Sequence, residues 1–525
     1  MNYNLSHSVY QQSLANPHQL AVVDNGISYT YQQLASSASA LAALLQTSPD
    51  WPIDKYTQPR VAILGSRSAL ACMAVLGASW AGATYIPLGT KLPEERIVTL
   101  LQMCKVNAVI ADAEGTKLLT ENVLAACPRL VLIPSTAKPP VNHSSLKAYD
   151  IQSATSIQSQ PAFMAADVLA YIIFTSGTTG VPKGVIITCG AIQHYVTMVT
   201  ASLGLQASDR AIETLELTFD VSLHTMFTTW QAGASLHILP ATRVMNAVKF
   251  VNEHQVTVWF SVPSLAGMLK EIKTLTPNSL ASLRVSVFGG EQLPEGVIKA
   301  WQQAAPNSRI ENYYGPTEAT VFCLSQTVSE PLALTPGRDI LSIGTPMPSN
   351  EAAVVDSSLA FLPPGEIGEL ALSGVQLSAG YLNAPELTKA RFPIIGGKRW
   401  YLTGDLAMQD ADGRFHCLGR LDHQVKILGY RVELEEVDTY LRKASNNGVA
   451  ATVAWPILDG VAQGLVGFVH ADTIDANAIK TAMKQFLPSY MVPSRVVAIP
   501  NMPLNQSGKI DRKALINLLQ TNAIP

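Results

Sequence analysis

Residues 171–185 read YIIFTSGTTGVPKGV. The run up to Phe174 is apolar and of strand type, and Thr175-Ser176-Gly177-Thr178-Thr179-Gly180 then interleaves four hydroxyls with two glycines. Glycine lets backbone N–H groups come close to an oxyanion, and hydroxyls add donors. Lys183 adds a point charge. The spacing predicts a strand over 168–174 that runs into a phosphate-binding loop, with Thr188 as N-cap of the helix that follows. A Walker loop needs Gly-Lys followed by Ser or Thr, whereas Pro182-Lys183-Gly184 interrupts that order and disfavours an ordinary P-loop nucleotidase. A merely structural glycine turn has no need of four hydroxyls closed by Pro-Lys-Gly.

On either side of this loop, short apolar runs alternate with helical patterns of ten or more residues. Strands are predicted at 60–64, 84–88, 108–111, 129–133, 257–261 and 284–288. Such alternation argues α/β layers with largely parallel sheets. From about Gly344 the strands shorten around turns at Pro363-Pro364-Gly365 and Asp412-Gly413, which suggests a β-rich subdomain. After Gly419 a hairpin-like pair at 423–434 precedes a helix at 435–445, strands near 449–455 and 464–470, and a helix at 475–486. The expected fold is therefore α/β: a large N-terminal domain over 1–419 with a β-rich subdomain, and a small mobile α+β C-terminal domain over 420–525. Little linker sequence separates them at 419–422, so a hinge is expected there.

Composition narrows the class. The 525 residues are 48% hydrophobic and 14% charged, as in a well-packed globular enzyme. A formal charge of −3 gives no footprint for nucleic acid or an anionic membrane. The six cysteines are scattered without CxxC pairs or histidine partners at zinc spacing, so buried thiols in a reducing cytosol are expected. The apolar stretch from Ala69 to Leu88 is broken by Gly77, Gly82 and Pro87, and reads as a buried helix followed by a strand, not a membrane span. The N-terminus lacks the basic start and apolar core of a signal peptide.

Nine segments in order give the chain a family likeness: LGASWAGATYIPL (76–88), FTSGTTGVPKGV (174–185), FDVS (219–222), NYYGPTEAT (312–320), GEIGELALSG (365–374), YLTGDL (401–406), GRLDHQVKILGYRVELEEV (419–437), LPSYMVP (487–493) and SGKIDR (507–512). The sequence resembles the adenylate-forming superfamily, most closely the amino-acid adenylation domains of nonribosomal peptide synthetases. The resemblance implies that ATP and a carboxylate give an acyl-adenylate and pyrophosphate, with Mg²⁺ as cofactor, before transfer to a phosphopantetheine thiol. It further implies that Thr175, Ser176, Gly177, Thr178, Thr179 and Lys183 hold phosphates, that Asn312 and Tyr314 hold adenine, and that Thr317 meets the α-phosphate. Glu318 would be the metal ligand, Asp405 would bind the ribose hydroxyls, and Arg420 would be a second ribose or phosphate contact. Lys509 would stabilise charge at phosphorus in the transition state, and Asp422 would be the hinge. Leu428 and Ser378-Ala379 depart from the family pattern at positions tied to the second step.

Asp220 bears on which carboxylate is used. In the amino-acid-activating relatives the matching residue pairs with the substrate ammonium, although an Asp at a helix head is also a good N-cap. By the same alignment Asp220, Val221, His224, Phe260, Val287, Gly289, Tyr313, Val321 and Phe322 would line the substrate pocket. No second acid stands among them, so a small or medium apolar amino acid is expected, proline first and valine-like second. His224 and Tyr313 leave a polar side chain open. An acyl- or aryl-CoA synthetase is the rival enzyme, and a non-catalytic relative is disfavoured because Lys509, Asp405 and Glu318 are all present. Without a GGxS carrier segment or an HHxxxDG motif, the expected partner is a phosphopantetheinylated carrier protein in trans.

Overall fold

The computed structural model describes residues 2–52, 57–150, 153–177, 182–427, 429–458, 461–505 and 510–521. The chain divides into two compact units. The first comprises Met1–Thr90, Leu100–Ile173 and Gly184–Gly419, and the second Lys91–Thr99, Phe174–Lys183 and Arg420–Pro525.

Two large sheets dominate the first unit. One has eight strands, with Lys183–Thr188, Leu169–Thr175, Thr84–Gly89, Arg60–Gly65, Ala108–Ala111 and Val131–Pro134 side by side. The second has nine, and its centre runs Arg309–Tyr314, Val285–Gly289, Val258–Ser261, Arg210–Glu213 and Ser235–Ile238. The central pairs are parallel; antiparallel strands form both edges of the nine-stranded sheet and one edge of the eight-stranded sheet, whose other edge strand, Leu146–Tyr149, is parallel to its neighbour. Parallel strands covered on both faces read as continuous apolar runs, and this is why AVIA and RVAIL were visible in the sequence. The helix Ala69–Trp80 has every residue but Leu70 buried, as expected of a helix that is apolar all round. Gly77 lets it lie close to the helix Tyr31–Leu45, since a Cβ there would come within 2.7 Å of the Leu41 Cβ. Among the described residues no helix is long and apolar enough to cross a membrane.

A four-stranded sheet follows, formed by Asn350–Val355, Ile367–Gly374, Tyr401–Gln409 and Phe415–Arg420, with antiparallel pairing between the first three. The second unit contains the hairpin Gln424–Ile427 with Tyr430–Glu433, the helix Leu434–Ser445, and a three-stranded sheet of Ala450–Ala454, Leu465–His470 and Arg495–Ile499. The helix expected over 475–486 ends earlier, at Ala476–Met483.

The neighbourhood of the glycine-rich loop differs from expectation in one respect. The strand Leu169–Thr175 does not pass through the loop into a helix; a second strand, Lys183–Thr188, comes first and lies beside it in the sheet. Thr188 then caps the helix Cys189–Leu203, its side chain accepting from the Ala191 N–H.

Candidate active site

The register of the nine-stranded sheet places several of the expected pocket residues on one face. Phe260 pairs with Val287, and Gly289 pairs with Tyr313. Side chains two apart on a strand share a face, so these four positions look the same way. The helix Val221–Gln231 contributes Val221 and, one turn on, His224. All are buried, with His224 only 2% exposed and Phe322 fully covered.

Asp220 stands at the N-terminal end of that helix and is 8% exposed, yet its side chain makes no capping hydrogen bond. The capping alternative left open by the sequence is therefore not realised. Its charge is felt by the buried hydroxyls of Tyr85, Tyr171 and Tyr195, whose pKa values are pushed far up, mainly by burial. Tyr195 in turn bonds His224 Nδ1 at 2.7 Å. Burial pushes the His224 pKa down to about 3, so the ring is neutral at physiological pH and presents one donor and one acceptor.

Val321 and Phe322, also expected in the pocket, lie on a strained turn. Thr320 and Val321 both have positive φ, at 54° and 68°. A β-branched residue there is an outlier that surrounding structure must hold in place. Gln376, fully buried, does so: its Nε2 donates to the carbonyls of Ala319, Thr320 and Phe322 at 3.3, 3.1 and 2.8 Å. Asn350 Nδ2 donates to Gln376 Oε1 at 2.6 Å, which orients the amide. Neither Gln376 nor Tyr195 was singled out in the sequence, because both act across more than 25 residues of chain and belong to no local motif.

On the strand Arg309–Tyr314, Asn312 and Tyr314 alternate with Tyr313. Asn312 Nδ2 donates to the Ser342 carbonyl at 2.8 Å, which leaves Oδ1 as the acceptor able to read an exocyclic amino group. The Tyr314 hydroxyl donates to Asp405 Oδ2, and burial together with that carboxylate holds its pKa far above the usual range. The backbone N–H of Asp405 is bonded by Thr403 Oγ1 at 3.0 Å. Glu318 lies in the short 3₁₀ turn Thr317–Ala319, fully buried, and its Oε1 accepts from the Tyr381 hydroxyl at 2.9 Å. Thr317 opens the same turn.

The remaining expected residues belong to the second unit. Ser176 Oγ donates to the Arg431 carbonyl at 3.0 Å and accepts from the Glu433 N–H at 3.2 Å. The Gly177 N–H donates to Glu436 Oε2 at 3.2 Å, and Lys183 Nζ lies 3.5 Å from Glu433 Oε1. Arg96 supplies a second partner to Glu436 at 2.7 Å. Two donors of the loop, one backbone and one ammonium, thus each hold a carboxylate oxygen. The Thr175 hydroxyl is buried with no hydrogen-bond partner among the described residues. Arg420 grips Asp422 through Nε and Nη2 at 2.8 and 2.6 Å, and this pairing holds the Asp422 carboxyl below its ordinary range against the opposing effect of burial. Thr178, Thr179, Lys509 and Leu428 lie outside the described residues.

Comparison with known proteins places this geometry. Residues 9–382 match the family model described as AMP-binding enzyme. A dimodular nonribosomal peptide synthase of Bacillus subtilis (strain 168) is 32% identical over 515 residues, covering 96% of this chain, while the chain spans only 20% of that relative's length. The crystal structure of the Vibrio cholerae adenylation domain AlmE, in complex with glycyl-adenosine-5'-phosphate, superposes with a TM-score of 0.85 at 31% identity, covering 99% of this chain and 98% of that one. Holo-PA1221, a protein containing adenylation and PCP domains, gives 0.80 at 25% identity, with 98% and 84% covered. The fold they share has a large N-terminal domain and a smaller C-terminal one.

Proposed function

This chain belongs to the AMP-binding enzyme family of adenylate-forming ligases, and on that premise we propose that it adenylates an α-amino acid. One oxygen of the amino acid carboxylate attacks the α-phosphorus of ATP, the bond to the bridging oxygen breaks, and pyrophosphate leaves. The attacking group is already ionised, so no general base is needed, and the protein's part is positioning and electrostatic stabilisation.

The observation that carries the amino-acid reading is Asp220: a buried carboxylate at the head of a helix that it does not cap. A buried carboxylate at this position suits an incoming ammonium. Tyr314 and Asn312 are assigned to adenine and Asp405 to the ribose hydroxyls, with the Tyr314 hydroxyl orienting its carboxylate. Thr317 is assigned to the α-phosphate, Arg420 to the ribose and Lys509 to charge developing at phosphorus. For the phosphates, support comes from Gly177 and Lys183, whose donors already hold carboxylate oxygens of Glu436 and Glu433. Thr175, Ser176, Thr178 and Thr179 complete that loop.

The donor set also suits Mg²⁺. Among the described residues no group of three metal-ligating side chains exists, and Glu318 offers a single buried carboxylate. Mg²⁺ is commonly held by one or two carboxylates together with substrate phosphate oxygens, and not by an all-protein cage. When bound it would neutralise phosphate charge, while Tyr381 keeps the Glu318 carboxylate in place.

We assign the acceptor of the second step to a phosphopantetheinylated carrier, in keeping with the adenylation and PCP domains that PA1221 contains. The test pairs Asp220→Asn with the wild type. Loss of the charge partner is expected to lower kcat/KM for the amino acid by roughly 100-fold, since breaking a buried charge pair typically costs 2–5 kcal/mol. It should leave the KM for ATP within about twofold. Unchanged amino acid kinetics in the variant would sink the reading. Offering both coenzyme A and a phosphopantetheinylated carrier separates the acceptors: label on coenzyme A alone would make the chain a CoA ligase.

A further inference from the structure

The aromatic side chains lining the pocket pack on one another. His224 lies 4.7 Å from Phe260 between ring centroids and 6.0 Å from Phe322, while Phe322 lies 5.8 Å from Phe260 and 5.7 Å from Tyr313. His224 and Tyr313 meet edge to face at 6.1 Å. Tilted and edge-to-face rings at these separations are in van der Waals contact. None of the four residues is more than 3% exposed.

Gly289 shows how far the plug extends. A Cβ built on it would fall 2.5 Å from Phe322 Cζ and 2.6 Å from Cε1. The Phe322 ring therefore crosses from its own turn to the backbone of the strand Val285–Gly289 and closes the space between them. The Gln376 hydrogen bonds hold its turn, including the Phe322 carbonyl, and the Tyr195 hydroxyl bonds His224, whose ring packs against Phe322.

From this geometry we infer that Phe322, seated on Gly289, is a specificity-determining plug that limits the substrate to an α-amino acid with no side chain or a methyl group. The inference rests on the amino-acid reading of Asp220 and goes beyond it by fixing size. It also departs from the sequence expectation, in which the same residues suggested proline or valine. A list of residue types gives the wall composition, but not that one wall ring touches the opposite strand. Seating an isopropyl group or a pyrrolidine ring requires Phe322 to leave Gly289, and that movement strains a turn already at positive φ. Tyr195 is a positioning residue, because it acts through His224.

The experiment is ATP–pyrophosphate exchange with glycine, alanine, valine, proline and leucine, using the wild type, Phe322→Ala and Phe322→Leu. A misfit of one methylene typically changes kcat/KM by roughly 10- to 200-fold. Wild type should therefore prefer glycine or alanine over valine and proline by at least about 10-fold. Phe322→Ala should shift the ratio of valine or leucine to glycine upward by at least about 10-fold. Should Phe322→Ala fail to fold, Phe322→Leu carries the same reading with a smaller shift, and the wild-type ranking stands by itself. Wild-type activation of proline, valine or leucine on a par with glycine overturns the plug. So does an unchanged ranking in a folded Phe322 variant. If aryl or fatty acids drive exchange and no amino acid does, the amino-acid reading of Asp220 has failed and the plug falls with it, a result distinct from the two above.

Discussion

Glu213, at the end of the strand Arg210–Glu213, is 2% exposed, and burial pushes its pKa up to about 8 from an ordinary 4.5. Nearby Arg67 and the Leu215 N–H, the latter 2.8 Å from Oε1, pull it down only in part. The native state thus keeps a proton that the unfolded chain sheds above the ordinary glutamate range. Stability from this group is full below pH 4.5 and declines as pH rises toward about 8. Glu213→Gln keeps the Leu215 contact and cannot ionise, so its melting temperature should lie above that of wild type at pH 8 and not at pH 4.5. Parallel melting curves across that range would refute the assignment. Asp220 teaches the complementary lesson. Its place in FDVS was legible, but whether it caps its helix was not, and the structure shows no side-chain cap hydrogen bond.

The turn Thr317–Phe322 is the element on which the proposed size limit depends. Gln376 gives its backbone three hydrogen bonds from a fully buried amide. Gln376→Leu leaves those carbonyls without that donor and should cost about 3 kcal/mol, since unsatisfied buried groups cost roughly 1–3 kcal/mol each with partial relaxation. A lowered melting temperature, together with weaker discrimination between glycine and valine, is the expected outcome; a variant as stable and as selective as wild type would contradict the role. The strands Val258–Ser261 and Val285–Gly289 were legible because buried parallel strands read as apolar runs, whereas Arg309–Tyr314, with its charged and polar residues, was not among the predicted strands. The turn was not legible: non-glycine residues at positive φ have no reliable sequence sign, and their support comes from a residue 54 positions away. The strand Lys183–Thr188 escaped notice for a related reason, since a glycine- and hydroxyl-rich loop before a capped helix looks continuous with it.

At the scale of the molecule, alternating elements announced an α/β architecture, and the change of texture after Gly419 marked a module of another kind. The segments Lys91–Thr99 and Phe174–Lys183, which group with the second unit, were not separable in the sequence, because their partners Glu433 and Glu436 lie more than 240 residues further on. Lys509 is assigned its role from the SGKIDR likeness, and Lys509→Ala should reduce adenylate formation by about a hundredfold to a thousandfold, the range seen when a transition-state charge partner is removed. Retained activity would remove the lysine from the chemistry. The most direct trial of amino-acid adenylation is exchange of labelled pyrophosphate into ATP, with each common α-amino acid set beside its des-amino counterpart. Label should enter ATP with at least one amino acid and not with the acid that lacks the ammonium. Exchange supported equally by both, or only by the des-amino acids, would contradict the function proposed for Asp220.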